Sequence, residues 1–195
     1  MWFARAAAPP LVLPNLLRNS AFAGAQASPE TLPTYMGMTS PLFGVTRDIT
    51  AKGTDLYDHL DVRWSGTGSS TSVATAMQFD SNTAIAAAAG SRFCGSLWAS
   101  LVAGSLANVT GLKLRVRYND SGGAFLAIAE TSIAALTASP QRFQVAAGAA
   151  PANTAYVLMQ IVSNWAVAAV DMTLRLQGPM LNTGDRAAVY AATTA

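Results

Sequence analysis

A chain of 195 residues supplies one sizeable core and is too short for two ordinary domains with separate cores. Charged residues make up 11% and hydrophobic residues 51%, which excludes a chain kept disordered by low hydrophobicity and high charge. The net charge of +2 is spread over scattered Lys and Arg rather than gathered into the contiguous basic patch that nucleic acid requires, so no nucleic-acid partner is expected.

The amino-terminal stretch, residues 1–14, is apolar but is broken by Pro9, Pro10 and Pro14, so it does not read as a signal peptide. It reads as an extended attachment arm with Trp2 and Phe3 as anchors. No window approaches the ~20 apolar residues of a membrane span, and no membrane partner is expected. From Ala23 to Gly53, prolines among Thr, Ser and Gly predict a segment that wanders over the surface. His59 to Trp64 then alternates, placing Leu60, Val62 and Trp64 on one face of a strand. The apolar run Phe93 to Val102 predicts a central strand covered on both sides, with Cys94 as a buried small hydrophobe. The stretches Ala84 to Ala89 and Leu101 to Leu106 read as well for a short helix as for a strand.

Leu112 to Tyr118 alternates without a fault, and the turn signal Asn119 to Gly123 joins it to Ala124 to Ile128 as a hairpin. Its polar side carries Lys113, Arg115 and Arg117, a solvated outer face. Phe143 and Val145 point inward if Arg142 and Gln144 face water. Gly148 to Asn153 forms a turn before a second buried strand, Tyr156 to Val162, and Thr173 to Gln177 closes the series. Eight or nine strands at this spacing predict an all-β jelly-roll β-sandwich.

The search for chemistry returns no catalytic residue, no metal and no cofactor. The single histidine, His59, lies near Asp58 and Asp61, but no G-x-S-x-G elbow presents a serine to it. One Cys and one His cannot make a usual zinc site. What remains are aromatic and amide groups suited to sugars, whose C–H faces stack on rings while their hydroxyls pair with amides. Trp165, in polar Ser163-Asn164-Trp165, is the candidate for exposure. Asn164, Trp64 and Tyr57 complete the candidate set, although Trp64 is in phase with Leu60 and Val62 and so also reads as core.

Several segments together resemble a known family. Asn15-Leu16-Leu17-Arg18-Asn19, Thr31-Leu32-Pro33-Thr34, Tyr57 to Thr67, Leu101 to Thr110, and Asp171 to Leu176 with Gly178 to Leu181 resemble the carbohydrate-binding-module-like domains of virion proteins. The chain departs from that pattern at Met36, where the family carries Trp, and at Asn182, where it carries Glu. The resemblance covers residues 15–184, leaving 1–14 as the arm and 185–195 as a tail. It implies a jelly roll on head spikes or on tail fibres of bacteriophages and gene transfer agents, non-catalytic, contacting host-surface glycan. Its implied partners are other virion proteins (capsid, portal or tail) and further copies of itself in a homo-oligomer. The alternative is a purely architectural decoration or adaptor protein that binds no sugar.

Overall fold

The structure is a computed structural model that describes residues 12–27, 30–38, 42–71 and 75–194. The expected anchors Trp2 and Phe3 lie outside the described residues. Thirteen strands follow in chain order: β1 (Gln26–Ala27), β2 (Glu30–Thr31), β3 (Gly37–Met38), β4 (Val45–Thr54), β5 (Asp58–Thr67), β6 (Thr75–Gln78), β7 (Ile85–Ala86), β8 (Phe93–Gly104), β9 (Val109–Asn119), β10 (Phe125–Ser132), β11 (Gln141–Ala146), β12 (Tyr156–Trp165) and β13 (Ala169–Thr183). All pairings are antiparallel.

Two sheets form a jelly-roll sandwich. One is five-stranded, in the order β11-β8-β13-β5-β4, and the other runs β10-β9-β12-β6-β3 with β7 beside β12. From β5 onward the chain crosses between the two sheets at every step except from β6 to β7, which both lie beside β12, and at the β9–β10 hairpin. Period-two alternation builds the interior. Leu60, Val62 and Trp64 of β5 and Met172, Leu174 and Leu176 of β13 face Leu112, Leu114 and Val116 of β9 and Val157, Met159 and Ile161 of β12. All twelve are 4% exposed or less. Burying a side chain of this size contributes roughly 1.5–3 kcal/mol against leaving it in water.

The alternating strands and the hairpin at Asn119 to Gly123 stand where the sequence puts them, with Asp120 accepting from the backbone of Gly122 and Ala124. Two expectations are corrected. No helix occurs among the described residues: Leu101 to Gly104 continues β8, and Ile85–Ala86 forms β7. The segment expected to wander from Ala23 to Gly53 contains most of β4, a ten-residue edge strand paired with β5. Only Val45 and Ile49 of β4 are buried, and a bulge between Ile49 and Ala51 resets its register, so its apolar signal is thin.

Candidate functional site

Because β5, β8 and β13 turn their apolar residues inward, the intervening residues form the outward face of the five-stranded sheet. A transverse row crosses all five strands in register. Gly53 of β4 is opposite His59 of β5, His59 is opposite Gln177 of β13, Gln177 is opposite Trp98 of β8, and Trp98 is opposite Arg142 of β11. A second row holds Asp61, Arg175 and Ser100, and a third brings Arg63 beside Thr173 and Asp48.

Aromatic rings gather at one corner of this face. The Tyr57 ring, from the β4–β5 turn, lies 4.6 Å from the Tyr190 ring and 6.4 Å from Trp98 by centroids. A bulge in β13 at Gly178 makes room for them, since a methyl group there would stand 2.9 Å from the Tyr57 ring and 3.3 Å from Tyr190. Gly53 does the same for His59, whose ring atom Cε1 would meet a methyl group at 2.9 Å. Both side chains beside the corner are buried, Gln177 at 1% exposure and His59 at 8%. Gln177 Oε1 and His59 Nδ1 find no hydrogen-bond partner among the described residues, an uncommon condition for buried polar atoms.

Ion pairs occupy the middle of the face. Arg175 donates through Nε and Nη2 to the two oxygens of Asp61, both at 2.8 Å, and through Nη1 to Asp55 at 3.1 Å. Arg63 donates to Asp171 at 2.9 and 3.1 Å, and that contact holds the Asp171 carboxyl below the usual aspartate range. Beyond them lies an open groove of about 440 Å³ lined by Thr50, Asp61, Arg63, Val102, Asp171 and Thr173, among others.

The carboxyl-terminal segment borders the aromatic corner. It folds back on its own domain. Asn182 donates to the Arg186 carbonyl, Arg142 donates to the Ala188 carbonyl at 2.6 Å, and Thr193 bonds with Ser20 and Leu17 of the amino-terminal segment.

The four sequence candidates separate. Trp165, expected to be exposed, is fully buried, because it continues the inward phase of Val157, Met159 and Ile161 along β12. Trp64 is 1% exposed and also belongs to the core. Neither indole offers a face to a ligand. Asn164 is half-buried on β12, in the other sheet, beside Gly111. Tyr57 alone lies with the aromatic corner. Trp98 lies in the run Phe93 to Val102, expected to be covered on both sides, and instead stands outward and half-buried. Its signal is the alternation of Cys94, Ser96, Trp98 and Ser100 with the inward residues of β8. Lys113 and Arg115 share Glu130 on the opposite sheet, and Arg117 stacks over Phe125.

No protein-family model matches the sequence, and no curated protein matches it. Solved structures do. The chain is similar to the enzymatically active domain of tailspike protein 4 of bacteriophage CBA120, with a TM-score of 0.52 and 13% identity over 86% of this chain and 22% of that one. It is similar to an arabinose-bound α-L-arabinofuranosidase, MgGH51, with a TM-score of 0.60 and 14% identity over 89% of this chain and 27% of that one. It is also similar to the CBM22-1 xylan-binding domain of Paenibacillus barcinonensis Xyn10C, with a TM-score of 0.50 and 18% identity over 93% of this chain and 100% of that one. The chain thus spans about a quarter of the first two proteins and all of the third. At these identities the likeness is one of fold, the jelly roll of carbohydrate-binding modules.

Proposed function

We propose that this protein is a virion component of a phage-like particle, a head-spike or tail-fibre subunit on the particle surface. In this reading it holds a host-surface carbohydrate, without transforming it, on the outward face of the five-stranded sheet. The observation that carries the reading is the transverse row, in which the half-buried Trp98 and the Tyr57–Tyr190 pair adjoin Gln177 and His59. A sugar needs a ring for its C–H face and amides or carboxylates for its hydroxyls, and this corner sets its rings near the half-exposed carboxylate of Asp55, which accepts from Gln177. The fold likeness to a tailspike and to a xylan-binding domain supports the same reading.

The arm, residues 1–14, is the proposed attachment to capsid, portal or tail proteins. A single shallow sugar site binds weakly, so several copies acting together would give a usable hold.

The test is a glycan array probed with the wild-type protein, a Trp98→Ala variant and a Lys113→Ala control on the opposite sheet. The wild type and the control are expected to bind the same glycans, and Trp98→Ala to lose about tenfold in affinity, the order of one stacked ring. Equal binding by Trp98→Ala would move the site elsewhere. Binding by none of the three would leave the protein as an architectural adaptor.

A further inference from the structure

Two of the three guanidiniums on the outward face are committed to carboxylates, and that arrangement bears on which sugars it accepts. Resting on the carbohydrate reading above, we propose that Asp61 and Asp171 act as built-in counter-ions that reserve the face for uncharged glycans and turn away acidic ones. An acidic sugar, carrying a carboxylate or a sulfate, is recognised above all by an open guanidinium fork. The face holds three guanidiniums, and the two at its middle are each filled by a carboxylate, while Arg142 stands exposed on the edge strand. The fork of Arg175 is filled by Asp61, with Asp55 on its remaining nitrogen. The fork of Arg63 is filled by Asp171, and Asp48 stands opposite Arg63 on β4. Arg142 turns to the Ala188 carbonyl and Ser96.

Facing these cations are the carboxylates of Asp48, Asp55, Asp61 and Asp171, with Asp58 near enough to act on Tyr190 and Asp185 near enough to act on Cys94. The remaining titratable group in the rows is His59. An incoming anion therefore meets an excess of negative charge at the middle of the face and must compete with the carboxylates already placed in the forks of Arg63 and Arg175. Arg63 and Asp171 are about half exposed, at 45% and 57%, so their contact could be broken at little cost. Asp171 would nonetheless remain beside the intruder, and like charges brought together are what specificity against a wrong ligand requires. A neutral sugar faces no such penalty. Its hydroxyls can donate to the free lone pairs of the same aspartates and accept from guanidinium N–H groups outside the forks.

The experiment is an array printed with neutral, uronate-bearing and sulfated glycans, probed with the wild-type protein and with Asp171→Asn and Asp61→Asn variants. Far-UV circular dichroism would check that each variant is folded. Asp171 is exposed, so Asp171→Asn keeps the test open even if Asp61→Asn fails to fold. The wild type is expected to favour neutral glycans over acidic ones by about tenfold or more, and Asp171→Asn to narrow that gap by admitting acidic glycans to Arg63. Binding of the wild type to neutral glycans is expected to persist in high salt, because no ion pair with the ligand is screened. Acidic glycans bound as well as neutral ones by the wild type would overturn the inference while leaving carbohydrate binding intact. Binding to no glycan of either kind would overturn both.

Discussion

Gly178 shows how one residue shapes the face. Its φ is +51°, a conformation costly for any residue with a side chain, and the Tyr57 and Tyr190 rings close over its bare Cα. Gly178→Ala is expected to lower stability by about 1–3 kcal/mol and to displace both rings, read as a lower urea midpoint and an altered near-UV spectrum. Glu130 acts on the other sheet. Burial pushes its carboxyl up, but hydrogen bonds from Lys113 and Arg115, together with their charges, more than reverse that and leave it below its ordinary value of 4.5. A carboxyl lowered in the folded state stabilises the fold above the unfolded value, and this contribution disappears as pH falls through the folded one. Glu130→Gln is therefore expected to lower stability near neutrality and to flatten its loss as pH falls below about 5, so that variant and wild type converge in acid, measured as urea midpoints against pH.

At the level of strands, the sequence was readable wherever alternation was complete. Leu112 to Tyr118 became β9 because every second residue had a core to enter, and Leu114 ends fully buried there. Leu114→Ala is expected to cost about 2–5 kcal/mol in chemical denaturation, the range for emptying a packed leucine site. Strand β4 was not readable, since an edge strand covered on one side and interrupted by a bulge needs only Val45 and Ile49 to hold it. The functional face was half readable. Tyr57 and the alternation around Trp98 are in the sequence, but the meeting of Trp98, Gln177 and His59 depends on strand order, which no local pattern encodes. Trp165 misled through its polar neighbours, when its phase along β12 was the stronger signal.

Across the whole molecule, the two ends of the described chain are bound to each other. Asn15 donates to the carbonyls of Pro179 and Ala191, Tyr190 donates to the Ser20 carbonyl, and the Ala21 backbone donates to Thr193. Cys94 pairs in the β8–β13 ladder with Asn182, whose side chain is held by Arg186 and Ala188, and burial pushes its thiol up. Truncation after Gly184 is expected to lower the melting temperature and to make Cys94 reactive toward a thiol reagent. The intact protein is expected to react only on unfolding.

The shared clasp also fixes how mechanical load enters the molecule. A pull on the chain entering at Asn15 and the chain leaving at Thr194 would meet the hydrogen bonds around Ser20 and Thr193 one after another, as a zipper opens. Load applied through both ends together is thus borne first by this clasp and only afterwards by the sheets.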